Sequence, residues 1–261
     1  MRTDAGLRLF AHIAARPELE LDLPRAALLL AEPEYPDLDI SAYLDRFDEL
    51  GRLAGLRLAG AGLAAQVGDL AKHAGVAPPI AQLLQLLFDE LGFHGNRDDY
   101  YDPRNSFLNE VLDRRTGIPI TLAMVVIETA RRAGLTAHGV GFPGHFLVRF
   151  DEEGRAPTFV DPFEGRVLDQ AGLTELATRG TGRPGVPDAA ALAPASRANT
   201  LIRMLGNLRG IYAAQEDRVR LRGILERLEV LAPSAELRRQ IEALGGTSSP
   251  PPARRRPLLL S

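Results

Sequence analysis

The sequence predicts an α+β fold, with helices packed against a small antiparallel sheet. Three observations lead there. Apolar residues recur at helical spacing up to about Leu91 and again from Asn199 onward. Between these regions, Ile120 to about Arg132 reads as a helix that is apolar nearly all round through Ile127, the pattern of a helix buried in mid-domain. After it come short runs at hairpin spacing, Thr136–Phe142, His145–Phe150, Thr158–Asp161 and Arg166–Leu168, which imply an antiparallel sheet.

Taken in order, residues 5–31 read as helix. Leu7, Phe10, Ile13 and Ala14 form one stripe, and Pro24 is placed to start a second helix through Ala26–Ala31. Two prolines make Glu32–Asp37 a connector. Ser41 is a candidate N-cap for a helix carrying Tyr43, Leu44, Phe47, Leu50 and Leu53. The Ala-, Gly- and Leu-rich stretch 54–71 keeps a helical period, which its glycines weaken. Pro78-Pro79 opens a helix burying Leu83, Leu84, Leu87, Phe88 and Leu91. Gly92 ends it, and Gly95-Asn96 reads as a turn.

Asp102-Pro103 is a helix-start signal for an amphipathic helix carrying Phe107, Leu108, Val111 and Leu112 to about Arg115. Gly117 breaks it. Ile118 precedes a proline and so prefers extended geometry, and Pro119 suits the first turn of the apolar helix. Gly134 is placed to cap that helix. Beyond the strands, a short helix is expected from Leu173 to Thr178, and Asn199–Ala214, Arg218–Leu231 and a third helix capped by Ser234 follow. The stretch from Thr247, with Pro250–Pro252 and Arg254–Arg256, has the composition of a disordered tail.

Composition narrows the function. At 261 residues with 45% hydrophobic and 25% charged content, the chain is globular in type. A formal net charge of −3 gives no general pull toward nucleic acid or an anionic membrane. The chain has no cysteine, so disulfides, thiolate metal sites and thiol nucleophiles are excluded. Asp4, Arg8 and His12 interrupt any signal-peptide run, and no stretch approaches the roughly 18 apolar residues of a membrane helix. A cytoplasmic protein is expected.

The chemistry-bearing residues cluster between Tyr100 and Phe163. His145 opens a strand and Asp161 closes the next. On adjacent antiparallel strands such a pair can hydrogen-bond, and an Asp that accepts from a His orients the ring as a general base requires. The plainer alternative is that Asp161 starts the Asp-Pro turn while His145 merely packs. The apolar helix from Pro119 offers the other half of a site, since a helix N-terminus has free N–H groups and partial positive charge. Thr121, in the first turn of that helix, and Ser106, near the start of the preceding one, are the hydroxyl candidates, although both suit local helix hydrogen bonding as well. Tyr100 and Tyr101 beside Asn105 could line a peptide groove or simply pack, and Arg114, Arg115 and Arg149 could ring the cleft toward an acidic ligand, although the Arg114-Arg115 pair equally suits a helix C-terminus. His138, His145 and Asp161 could gather three ligands, but in no recognised zinc spacing, so no metal or cofactor is expected.

The stretches YYDPRNSFLNEVLDRRTGIPITLA, GVGFPGHFLVRF and FVDPFEGRVL resemble the SirB-type family, with LLFDELGFHGN upstream in keeping. That family has a transglutaminase-like, papain-like core followed by tetratricopeptide-like helices. The stretch from Asn199 to Pro233 is similar to one tetratricopeptide repeat. The resemblance implies a core over residues 76–178, a helical lead-in over 1–75, a linker over 179–196, a tetratricopeptide-like unit over 197–246 and a tail over 247–261. It also implies that Gly117, Ala123, His145 and Asp161 match the transglutaminase pattern while Pro119 falls at the catalytic Cys position. Proline has neither nucleophile nor N–H. The expectation is therefore a non-catalytic binding or regulatory module with a protein or peptide partner, whose cleft keeps His145, Asp161, Asn105 and Ser106 together. The alternative is a hydrolase or acyl transferase that uses a Ser or Thr hydroxyl with the His145–Asp161 pair.

Overall fold

The computed structural model describes residues 2–60 and 76–245. The later part of the 54–71 stretch and the tail from Thr247 lie outside these residues. Helices α1 (Arg2–Ala14), α2 (Leu23–Leu28) and α3 (Ile40–Gly60) lead in, followed by α4 (Pro78–Leu84). Then come β1 (His94–Gly95), α5 (Leu108–Arg114), β2 (Thr116–Gly117) and α6 (Pro119–Arg132). Strands β3 (Ala137–Val140), β4 (Leu147–Phe150), β5 (Thr158–Asp161) and β6 (Arg166–Leu168) form one antiparallel sheet in sequence order. Helices α7 (Gln170–Thr181), α8 (Arg197–Ala214), α9 (Arg218–Leu231) and α10 (Ala235–Ala243) complete the chain. The α+β class read from the periodicities is the class observed.

Helix α6 is the hub. It touches α3, α5 and α8 as well as β3 and β4, so a helix apolar on nearly every side finds an apolar partner on each. Its one buried acid, Glu128, pairs with Arg131 and Arg132 in the last turn, and Arg132 reaches across to Asp48 on α3 at 2.5 Å. The apolar core continues through Phe10 and Leu28 at one end and Leu205, Leu225 and Ile241 at the other.

Several local signals resolve differently from the sequence reading. Asp39, not Ser41, caps α3. Its Oδ1 accepts from the Ser41 and Ala42 backbone N–H groups at 3.0 and 3.2 Å, because it stands one residue ahead of the first helical turn. Helix α2 begins at Leu23 behind an Asp22 cap and stops at Leu28, short of Ala31. The helix expected from Asp102 to Arg115 is two pieces. A 3₁₀ turn, Pro103–Ser106, is capped by Asp102, then Phe107 is extended at ψ 122° and α5 starts anew. That break lets the Phe107 side chain turn inward, where it is buried.

Gly95 belongs to a two-residue parallel pairing with Thr116–Gly117 rather than to a turn. A Cβ there would overlap the Phe163 ring, so the close approach requires glycine. Helix α7 outruns its expected bounds at both ends. The segment after it, expected as a linker, is tied to the sheet where the Ala195 N–H donates to Gly139 O at 2.7 Å and Pro194 bridges Val140.

Candidate functional site

The site is built on the turn between β3 and β4. Phe142 and Phe146 bury their rings on either side of Pro143-Gly144, and Gly144 takes φ +66°, which an L side chain resists. The His145 N–H donates to Phe142 O at 3.1 Å. His145 therefore sits in the turn, two residues ahead of β4, rather than opening the strand. The tight turn consumes the residues that an extended strand would need.

Asp161 is the last residue of β5 and its side chain is almost wholly buried. Its Oδ1 accepts from His145 Nε2 at 2.8 Å and from the backbone N–H groups of Phe163 and Glu164 at 3.0 and 3.3 Å. One atom of Asp161 therefore does two things: it organises the Asp-Pro turn and it holds the His145 ring. With Nε2 engaged, Nδ1 is the ring nitrogen left for another group. The ring meets Phe163 edge-on, centroids 6.5 Å apart, and Phe163 packs in turn against Tyr100 at 5.9 Å. Tyr101, which is 74% exposed, extends this aromatic wall by stacking edge-on to Tyr100 at 5.3 Å. Arg97 also lies over the Phe163 ring and pairs with Glu164. A cavity of about 320 Å³ opens there between His94–Asp98 and Phe163-Glu164.

The α6 N-terminus is closed. Ile118 is extended, and its N–H donates to Thr121 Oγ1 at 3.2 Å. Thr121, fully buried, donates its own hydroxyl to Asn105 O at 2.7 Å, which ties α6 to the 3₁₀ turn. A hydroxyl committed in this way is a strut. Thr121→Val, isosteric but unable to bond, is expected to lower stability by about 2 kcal/mol in urea denaturation, with Thr121→Ser close to wild type. Equal stability of all three would mean that the bonds carry no net weight.

Asn105 belongs to a different network from the His–Asp pair. Its amide donates to Asp99 O at 2.7 Å and its Oδ1 accepts from Asn96 and Arg114 at 3.1 and 3.0 Å. Among the described residues no hydrogen bond joins that network to His145 or Asp161, so the single polar network expected from the sequence is two. Ser106 is buried, and its Oγ has no hydrogen-bond partner.

Other expectations fail for identifiable reasons. Arg149 turns to Asp151 at 2.8 Å and Leu192 O instead of the cleft, because it alternates to the other face of β4 from Val148. His138 faces Asp151 at 3.6 Å, so it does not gather with His145 and Asp161. Arg114 is spent on Asn105, Asp102 and Glu110, and Arg115 on Leu91 O.

A residue that sequence spacing could not place is Arg203, on α8. Its Nη2 donates to Phe142 O at 3.2 Å and His145 O at 2.7 Å, while its guanidinium lies 5.5 Å from the Phe146 ring centroid. It pins the His145 turn from 58 residues downstream. A larger cavity, about 820 Å³, lies elsewhere, among α2, α3 and the end of α6, and is lined by none of the candidate residues retained above.

A family profile described as the transglutaminase-like superfamily matches residues 41–206. A UPF0162 protein of Xylella fastidiosa (strain Temecula1) is 39% identical over 233 residues, 87% of this chain and 78% of its own. A UPF0162 protein of Pseudomonas aeruginosa is 34% identical over 189 residues, 72% of this chain and 64% of its own. F-box only protein 21 of Homo sapiens is similar over a shorter span, 39% identical over 93 residues, 36% of this chain and 15% of its own.

Proposed function

The chain belongs to the transglutaminase-like superfamily and to the UPF0162 proteins, and from that footing we propose that it is a non-catalytic, cytoplasmic binding module whose former active-site cleft takes a peptide. The observation that carries this reading is the contrast between the two halves of the site. The His145–Asp161 pair is intact at 2.8 Å beside an aromatic wall, while α6, at whose start the family pattern has its nucleophile, begins at Pro119 and its first-turn hydroxyl is bonded to backbone. A base without a nucleophile can still orient a ligand by hydrogen bonding. The walls formed by Tyr100, Tyr101 and Phe163 suit the apolar and amide surface of a peptide. Helices α8 and α9, read as one tetratricopeptide-like hairpin, brace the core in this account, because α8 packs on α2, on α6 and on the Pro103–Ser106 turn.

The second reading, hydroxyl-based hydrolase or acyl-transfer chemistry, rests on the Ser106 Oγ, the hydroxyl not committed to another bond, although it makes no hydrogen bond to His145. A fluorophosphonate probe separates the two. The binding reading expects no labelling above that of the His145→Ala protein. Labelling of the wild type that disappears in both His145→Ala and Ser106→Ala would overturn it in favour of an enzyme. Thermal unfolding against a peptide library is the positive arm, in which a ligand-induced shift of the wild type should be lost in His145→Ala.

A further inference from the structure

Arg203 is a cation with no counter-ion among the described residues. Among the described residues no carboxylate lies within ion-pair reach of it, although most arginines of the chain have one. It is half-buried, so the charge is not simply solvated. Only Nη2 is engaged, and it is engaged by two carbonyl oxygens. These are neutral acceptors that fix the guanidinium without discharging it. Nε and Nη1 keep their hydrogens, and neither is sealed from solvent. Nη1 stands close to Gly141, where an added Cβ would come within 3.2 Å of it, so the backbone there leaves the guanidinium room.

The surroundings point the same way. Tyr100, 40% exposed, has no hydrogen bond from its hydroxyl among the described residues. Burial lowers the Arg203 pKa and raises that of the Tyr100 phenol, so the phenol stays protonated and able to donate at neutral pH. Tyr100 also packs on Phe163, the residue against which the His145 ring stands. A fixed positive charge bonded to His145 O and a free phenol packed on the ring beside His145 therefore both flank the His145 turn.

We propose that Arg203 and Tyr100 form an anion subsite of this cleft, so that its peptide ligand presents a carboxylate there, from an acidic side chain or a free C-terminus. The proposal rests on the peptide-binding reading and specifies its ligand. A carboxylate, with one charge, suits a half-buried place with one cation. A phosphate carries nearly two charges and costs more to strip of water.

The test uses the whole protein and three small probes: N-acetyl-glutamic acid α-amide, its uncharged glutamine counterpart, and N-acetyl-alanine, whose only carboxylate is terminal. Binding is followed by NMR at the Arg203 Nε–H and the His145 ring. One or both carboxylate probes should move the two signals together while the glutamine probe does not, and which of the two acts tells side chain from C-terminus. Arg203→Gln should bind at least tenfold more weakly, and Arg203→Lys, which restores charge, should regain most of the affinity. The Lys variant and a thermal melt separate charge from turn support, since lysine cannot reproduce the two-carbonyl grip. Equal binding of the glutamine probe, unchanged affinity in Arg203→Gln, or tighter binding by inorganic phosphate would each overturn the subsite. None of these would touch the peptide-binding reading, which stands or falls on the peptide-library shift. Silence of both signals with every probe would overturn the subsite as well.

Discussion

Asp161→Ala is expected to destabilise the protein by about 3 kcal/mol, and His145→Ala by less than half of that. The asymmetry follows from the geometry. One buried carboxylate oxygen accepts from the His145 ring and from two backbone N–H groups, so its removal strands three donors, two of them in the turn that closes β5. Loss of a charged acceptor from a buried place leaves its partners without water or protein to replace it. His145 is less buried, and loss of its ring leaves Asp161 with both backbone donors. Urea denaturation of the two variants reads this directly. Equal losses would mean that the ring itself is the strut. A large loss for Asp161→Ala alone would show that the turn needs the carboxylate whether or not the cleft binds anything, and would explain how such a pair persists in a chain with Pro119 at the start of α6.

Gly180→Ala is expected to cost about 3 kcal/mol, near the upper end of overpacking effects, because the added methyl meets backbone that cannot rotate away. Gly180, near the end of α7, lies against the Pro143-Gly144 turn. A Cβ there would overlap Pro143 O, and from the other side a Cβ on Gly144 would come 2.9 Å from Gly180 Cα. The strain would fall on the turn that carries His145. The variant should therefore lose any ligand-induced thermal shift along with stability, although residue 180 touches no ligand. Gly206 is the internal control. It lies within α8 with open space around its Cα, and Gly206→Ala should stabilise by about 0.5–1 kcal/mol through helix propensity and a less mobile unfolded chain. If Gly180→Ala behaves like Gly206→Ala, the close packing of α7 on the turn is not what fixes His145.

Taken by itself, the sequence determined the elements whose signals are local. Apolar spacing marked α6 as central, because a helix can be apolar on all sides only if every side is covered. The spacing of short runs gave four antiparallel strands, and Ser234 and Asp102 declared themselves as caps within three residues of the groups they bond. The His145–Asp161 pair was legible too, since hairpin connections bring strand ends together at a predictable offset. Tertiary structure decided the rest. The choice between Asp39 and Ser41 as cap depended on where α3 could begin once packed on α6. The inward Phe107, the parallel pairing of His94–Gly95 with Thr116–Gly117 and the closure of Thr121 onto Asn105 each join segments by contacts that no spacing rule encodes. Above all, Arg203 reaches the His145 turn from α8. A long flexible side chain can satisfy two carbonyls anywhere within its reach, and only the packing of α8 against the core fixes which two they are.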